Sequence, residues 1–485
     1  MENPIRVRFA PSPTGSLHIG SLRSALYNYL FAKRHGGKLI LRIEDTDQRR
    51  TVPGSIEEII TTLESYGLIP DEGPRIINDT IEEVGPYAPY IQSKRLSKYK
   101  SEVDKLVEQG SAYYCFCSPE RLRELRESQE KQHLPPGYDG RCRNITSTEA
   151  KKRIAENESY IIRFRTPKEG QTIIQDLIRG QIIFNHATLE DLVLMKADGF
   201  PTYHLANVVD DHDMEISHVI RAEEWLPSLP LHILLYQAFS WAAPKFAHVS
   251  HILGPNRKKL SKRDGSVSAK DYLNDYLPSA VLNFIALLGW NPKTNQEFFE
   301  NLEELVKAFN LKQVNKAGAI FDIIKLNHLN RLHLHKLSAE RIAKAAKLKL
   351  SSEESRRYIP VVLDRLQKLS ELSSLIEFLK VDKLKYDSSL LIQENETKIT
   401  TSEVLVKIMF FWKTITPKQW LNSLDLKTVT LNWIYQQKEK NSRMLWPTRV
   451  ALSGSKNSPD VFDIAIALGP EKTLKRVGEA IKLLK

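Results

Sequence analysis

The sequence predicts a chain of several domains: an α/β domain on a parallel sheet, split by an inserted α+β segment and followed by an all-α C-terminal region. Three observations carry this. Residues 5–10 (IRVRFA) alternate apolar and basic side chains as a strand does; after PSPTGSLHIG, residues Leu22, Ala25, Leu26, Tyr29 and Leu30 mark one face of a helix that stops at Gly36-Gly37. Strand-then-helix texture returns over 201–255 after a mixed stretch. From residue 339 onward the pattern is helical, without strand alternation.

The 485 residues suffice for three or more cores, and 41% hydrophobic with 27% charged residues is ordinary for a globular protein. The longest apolar run, 280–290, is broken by Asn283 and too short for a bilayer. Arg6 and Arg8 enter a strand at once, which fits neither a signal nor a transit peptide, and three cysteines imply no disulfide framework. The expectation is a cytoplasmic chain without membrane contact. Residues 341–485 hold 26 Lys+Arg against 16 Asp+Glu, a balance of +10 out of +11 for the whole chain. That is the footprint of a surface meeting a phosphate backbone, or else a solubilising face.

In chain order, the first strand-to-helix handover places His18 and Gly20 where backbone N–H groups are unpaired and the helix dipole favours an anion. Gly15 and Gly20 hold no side chain between ligand and backbone, and His18 donates to a phosphate without changing charge; the same pattern also occurs as plain structure. A second strand, over 38–43, ends in Glu44-Asp45-Thr46-Asp47, at the strand end where open α/β sheets bind ligands. Asp45 and Asp47 read as caps, next to a helix predicted over 53–63. The inserted segment opens with a helix over 98–109. Its Cys115, Cys117, Tyr138 and Cys142 suit a tetrahedral zinc site, and suit buried free thiols beside a core tyrosine equally.

In the returning α/β stretch, YHLAN (203–207) precedes the acidic run Asp210-Asp211-His212-Asp213, read as a solvated turn. After an apolar strand over 216–220, Arg221 is the bidentate cation that a carboxylate in a partly dry pocket needs. Lys259-Leu260-Ser261-Lys262-Arg263 places two lysines in a polar loop, as mobile charges for phosphates or as a solvated face. Helices are expected over 269–290 and 302–309. Trp433, Trp446 and Phe462 are expected in the core rather than as stacking platforms.

His18-Ile19-Gly20-Ser21 and Lys259–Arg263, in this order, resemble the HIGH and KMSKS motifs of class I aminoacyl-tRNA synthetases. The longer strings RFAPSPTGSLHIG, RIEDTD, YHLANVVDDH and VIRAEEWL resemble bacterial-type glutamyl-tRNA synthetases. The resemblance implies a Rossmann-like class I catalytic domain over 1–95 and 201–255 and an acceptor-end-binding insertion over 96–200, with Arg163 and Arg165 toward tRNA. It implies a stem-contact region over 256–338 and helical anticodon-binding domains over 339–485. His18, Lys259 and Lys262 would be catalytic, and His18, Gly20, Ser21, Glu224, Lys259 and Lys262 would bind ATP. Arg8, Tyr203 and Arg221 would take the glutamate side chain, Glu44 its α-ammonium and Asn207 its α-carboxylate, with Ala10, Ser12 and Trp225 completing the pocket.

Some relatives carry a zinc-ligating His where this chain has Asn144; others show the Cys-x-Cys and Tyr-x-x-x-Cys pattern found here at Cys115, Cys117, Tyr138 and Cys142. ATP and Mg²⁺ are implied, as are L-glutamate, tRNA(Glu), a need for bound tRNA during activation, and a monomer. Some relatives also charge tRNA(Gln), with an amidotransferase as partner; Arg365 is the position weighed for reading the anticodon, against a solvated face. The rivals are another glutamyl- or glutaminyl-transferring enzyme of the superfamily and a catalytically silent tRNA-binding protein. His18, Glu44, Arg221 and Lys262 argue against the silent protein. The helical region from 339 argues against the relative that modifies a tRNA base.

Overall fold

A computed structural model describes residues 4–260 and 268–485, which gather into two compact units, Met1–Tyr272 with Val281–Asp322 and Leu273–Ala280 with Ile323–Lys485. In the first, β1 (Arg6–Phe9) and β2 (Lys38–Leu41) pair in parallel, Arg8 beside Ile40, and α1 (Ile19–Arg34) is the crossover that parallel pairing requires. After α2 (Ser55–Ser65) and the hairpin β3 (Gly73–Ile77) and β4 (Thr80–Val84), helix α3 (Leu96–Glu108) leads into the inserted segment. There follow β5 (Ala112–Cys115), α4 (Pro119–Lys131), α5 (Ser147–Ala155), β6 (Ile161–Phe164), the hairpin β7 (Gln171–Asp176) and β8 (Gly180–Asn185), and β9 (Val193–Met195). β5, β6 and β9 form an antiparallel sheet.

The α/β pattern then resumes with α6 (Tyr203–Asp213), β10 (His218–Ala222), α7 (Leu229–Ala238) and β11 (Lys245–Val249), which runs parallel to β10. Ser217 N–H donates to the Arg6 carbonyl at 2.9 Å, joining the edge of β1 to the entry of β10. Apolar side chains from the parallel strands, α3, α6 and the inserted sheet share one cluster that includes Ile40, Tyr99, Val103, Phe164, Leu205, Val219 and Phe246. The insertion is thus built onto the same core as the strands it interrupts.

Two expectations are corrected. The acidic run 210–213 is no solvated turn: it is the last turn of α6, and Asp210 and Asp211 are buried. Asp211 accepts from Arg42 Nη1 at 2.6 Å and Arg8 Nε at 3.1 Å; Asp210 accepts from Arg95 Nε and Gln92 Nε2, both at 2.8 Å, and from the Tyr99 hydroxyl at 2.9 Å. β1 and the residue after β2, Arg42, carry arginines into the core, and a buried cation requires a buried anion. The helix expected over 269–290 is shorter, a 3-10 turn at Asp271–Asn274 and then a helix Pro278–Leu287, because proline belongs at a helix start.

The second unit is helical, with no strand among its described residues. Its helices Lys398–Thr414, Ser423–Gln436, Asn441–Ser453 and Val461–Leu484 close around Leu405, Ile408, Trp412, Ile434 and Phe462. The last of these is kinked at Gly469, whose φ of 76° precedes Pro470. Trp433 stacks on Phe411 at 4.4 Å and Trp446 Nε1 donates to the Leu390 carbonyl. Arg365 lies in a 3-10 turn rather than a helix, its Nη2 donating to the Ser458 carbonyl at 2.6 Å. No described helix is long and apolar enough to cross a membrane.

Replacing Asp211 by Asn sets Arg8 and Arg42 against a neutral buried amide, at a cost of about 3 kcal/mol, which should lower the urea midpoint. Burial opposes ionisation of Asp211, but Arg8 and Arg42 hold its carboxyl below the ordinary value of 3.8. A depressed carboxyl stabilises the fold fully above its unfolded value and loses that contribution as pH falls through its folded value. The gap between wild type and Asp211→Asn should therefore be full at neutral pH and close in acid below pH 3.8; a gap independent of pH would contradict the pairing.

Candidate active site

His18 is the N-cap of α1 and departs from the sequence expectation of open N–H groups there. Its Nδ1 accepts from the N–H of Gly20 at 3.1 Å and of Ser21 at 3.2 Å. An accepting Nδ1 places the ring proton on Nε2, 3.0 Å from the Ser21 hydroxyl. Gly20 makes room for this: a Cβ there would stand 2.9 Å from the imidazole. The glycine therefore serves the approach of the histidine, and the exposed ring offers an Nε2–H donor. The chain that leaves this region through Lys259 returns beside it, since Ser268 bridges to His18 and Ala269 N–H donates to the Leu17 carbonyl at 2.7 Å. Lys259 pairs with Glu224, both exposed. Lys262, with Ser261 and Arg263, lies outside the described residues.

A cavity of about 520 Å³ is lined among others by Ser12, Glu44, Thr46, Arg49, Lys196, Tyr203 and Trp225. The Tyr203 and Trp225 rings lie 4.3 Å apart, tilted by 35°. Behind them Arg221, on β10, is buried and held at every nitrogen: Nη1 to the Tyr203 hydroxyl at 3.0 Å, Nη2 to the Trp225 carbonyl at 3.4 Å, and Nε to His248 Nε2 at 3.0 Å. His232 Nδ1 lies 3.3 Å from Nη1, and His204 Nδ1 lies 3.1 Å from His232 Nε2. Burial, then the Arg221 charge, pushes His204 down to about 4 and His232 well below its ordinary value, so both rings are neutral at neutral pH.

Opposite charge stands on β2's continuation. Glu44 accepts from Arg42 Nη2 at 3.0 Å; burial raises its pKa, while Arg42 and Arg8 work against that rise. Tyr203 feels the charges of Arg221, Glu44, Arg8 and Asp211 together. Asn207, on α6, is buried and its Nδ2 has no hydrogen-bond partner among the described residues. Ala10 directly follows β1 and is half-buried. Asp45 is a cap, accepting from Ser93 N–H at 2.8 Å at the turn Gln92–Arg95 rather than on α2; Asp47 precedes the turn Gln48–Arg50 without a side-chain cap bond.

Arg42, Asp211, His232, His248 and Asp176 escape sequence reasoning. Arg42 alone leaves a trace, a single cation inside the apolar run LILRI, which a buried strand tolerates only with a partner.

The third cluster lies in the inserted segment. The sulfurs of Cys115, Cys117 and Cys142 all fall within 4.8 Å of one another, and the Tyr138 hydroxyl lies 3.3 Å from Cys115 and 3.7 Å from Cys117. Thiolates 2.3 Å from a tetrahedral ion sit about 3.8 Å apart, so the donor set fits zinc. Hydrogen bonding with Cys142 pulls the Cys115 thiol below its ordinary range although burial opposes it, and raises Cys142 in return. Arg163 Nε donates to Cys115 at 3.4 Å and Arg121 Nη1 to Cys117 at 3.4 Å. Arg163 is therefore no tRNA contact: it is buried, its guanidinium lying 3.9 Å over the Tyr138 ring and bonded to the Asp191 carbonyl. Arg165 is half-buried and donates to the Gly110 carbonyl.

Known proteins share this arrangement of elements. The family described as tRNA synthetases class I (E and Q), catalytic domain, matches residues 4–328, and the anticodon binding domain family matches 327–481. The glutamate–tRNA ligase of Dehalococcoides mccartyi (strain ATCC BAA-2266) is 40% identical, with 100% of this chain and 99% of that protein covered. That of Clostridium botulinum (strain Eklund 17B) is 42% identical, with 99% of each covered. The crystal structure of a glutamate tRNA ligase from Elizabethkingia meningosepticum, in complex with its amino acid, superposes with a TM-score of 0.88 at 36% identity over 100% of both chains. Matched over its whole length by catalytic and anticodon-binding parts alike, the chain belongs to the class I tRNA synthetases of the glutamate and glutamine group.

Proposed function

We propose that this chain is a glutamate–tRNA ligase that activates L-glutamate with ATP and transfers it to the 3′-terminal adenosine of tRNA(Glu). The carrying observation is a pair of opposite charges: Glu44 lines the cavity, and Arg221 is bonded to Tyr203 and Trp225, which line it too. An amino acid with an acidic side chain brings a carboxylate for the first and an ammonium for the second. Arg8 adds positive charge beside Glu44, and the unpartnered Asn207 amide suits an α-carboxylate. A neutral glutamine side chain would leave the buried Arg221 uncompensated.

In the first step the glutamate α-carboxylate attacks the α-phosphorus of ATP and pyrophosphate leaves. The chain supplies no nucleophile; it positions two anions and offsets their charge. The His18 Nε2–H donates to a phosphate oxygen, and Lys259 exchanges Glu224 for the triphosphate. Lys262 joins it from the loop. Mg²⁺ would supply further neutralisation. In the second step a hydroxyl of the terminal adenosine attacks the mixed anhydride and AMP leaves. In this reading the segment 96–200 meets the acceptor end, 256–338 the stem and the basic residues 339–485 the anticodon. The chain acts as a cytoplasmic monomer, and Cys115, Cys117, Tyr138 and Cys142 hold a structural zinc ion.

With ATP, Mg²⁺ and two purified transcripts, tRNA(Glu) is expected to accept glutamate. Charging of tRNA(Gln) as well would make the enzyme non-discriminating and imply an amidotransferase partner; charging of neither would remove the ligase reading. Lys259→Ala and Lys262→Ala should each reduce ATP–pyrophosphate exchange by about 10²-fold or more, the scale of losing a preorganised charge contact. Unaltered exchange would show that the loop does not meet the phosphates. Elemental analysis should find about one zinc per chain, lost in Cys142→Ala; a metal-free protein with three titratable thiols would overturn the zinc site.

A further inference from the structure

Arg221 and His248 are register partners on the parallel strands β10 and β11. A guanidinium has only donors, so the Arg221 Nε–H must meet a lone pair on His248 Nε2, and the imidazole proton must then sit on Nδ1. That Nδ1–H has one acceptor, Asp176 Oδ2 at 2.7 Å, and both side chains are fully buried. Asp176 is itself fixed at the end of β7. Its Oδ1 accepts from the N–H groups of Ile178 at 2.9 Å and Arg179 at 2.8 Å, and Leu177 N–H donates to the Phe246 carbonyl of β11. One oxygen serves the turn and the other the imidazole, so the carboxylate cannot rotate without losing bonds. Burial lowers the His248 pKa, with Asp176 working against that. Burial also opposes the charge on Asp176, yet the hydrogen bonds from His248, Arg179 and Ile178 keep its carboxyl below the ordinary range. The pair is a neutral ring on a carboxylate.

We propose that Asp176 and His248 are positioning residues for amino-acid recognition: they fix the imidazole tautomer that holds Arg221 Nε, and so aim the guanidinium at the substrate side chain. This rests on the reading that Arg221 receives the glutamate side-chain carboxylate. It assigns a role in specificity to a residue of the inserted segment, 45 positions before Arg221 in the chain. The logic is that of a metal-ligating or catalytic histidine whose second nitrogen is fixed by a carboxylate, with an arginine in place of the metal.

Asparagine at 176 is a near-isosteric test. Its oxygen stays with the backbone donors of Ile178, Arg179 and His248, so its NH₂ faces His248 Nδ1, the ring proton moves to Nε2, and two donors confront each other at Arg221. In tRNA-dependent ATP–pyrophosphate exchange, Asp176→Asn should raise the glutamate KM about tenfold or more while the ATP KM stays within about twofold. His248→Gln puts an amide oxygen near the lost Nε2 lone pair and needs no carboxylate behind it. On that background Asp176→Asn should add less than about twofold to the glutamate KM, because the imidazole it fixes is gone. His248→Asn mimics only the Asp176-facing nitrogen and should raise the glutamate KM more than His248→Gln; this comparison decides the matter if Asp176→Asn does not fold. Additive effects, or Asn better than Gln at 248, would overturn the proposal. An Arg221→Ala control separates the failures: an unchanged glutamate KM there removes the recognition reading and the proposal with it. A raised KM there with Asp176→Asn unaffected removes only the proposal.

Discussion

Asp211 is the point at which the catalytic half of the chain is tied together. It lies on the last turn of α6 and accepts from an arginine on β1 and from Arg42 at the end of β2, three pieces of chain up to about 200 residues apart, in a site with almost no access to water. Such a charge cannot be left unpaired in low dielectric, so α6 can dock on the β1–β2 pair only in the register that brings the carboxylate between the two guanidinium groups. Asp210 fixes the same turn against Arg95 and Tyr99 at the start of α3. The two aspartates face different partners, and the elements that carry Glu44, Asn207 and Tyr203 inherit their positions from that arrangement.

The pocket built on this frame separates two kinds of electrostatics. On the Glu44 side, several full charges of both signs are packed together, and Arg42 is shared between Glu44 and Asp211. On the Arg221 side the cation lies among neutral rings: His204, His232 and His248 are all held below their ordinary pKa by burial. A cation hydrogen-bonded to neutral acceptors keeps its charge available for an incoming anion, whereas one paired with a carboxylate is already compensated. Arg8 and Arg221 therefore differ in kind, although the sequence presents them as equivalent. Arg8 meets the Asp211 carboxylate through Nε, and Arg221 meets only neutral groups.

Short-range chemistry was legible in the sequence and long-range pairing was not. The strand–loop–helix at residues 5–34 could be read because alternation, helical spacing and the glycine stop are local patterns, and the helical region after 339 for the same reason. The motif strings placed His18, Lys259, Glu44, Tyr203 and Arg221 in one family pattern. The acidic run 210–213 was misread because composition alone cannot tell a solvated turn from a helix end buried against three arginines. Arg163 was misread toward tRNA because a basic residue in a strand carries no sign of the thiolates and ring that surround it. His18 caps its own helix through Nδ1, a contact of two and three residues that sequence spacing permits but does not announce.

The central claim is that an arginine bonded only to neutral groups sets the preference for an acidic amino acid, and its most direct test is the choice of amino acid itself. Activation of glutamate and glutamine should be compared in tRNA-dependent ATP–pyrophosphate exchange, as the ratio of kcat/KM, for the wild-type chain. The account predicts a preference for glutamate of about 10³-fold or more, because glutamine would bury an uncompensated guanidinium at a cost of several kcal/mol. A ratio near unity would contradict it.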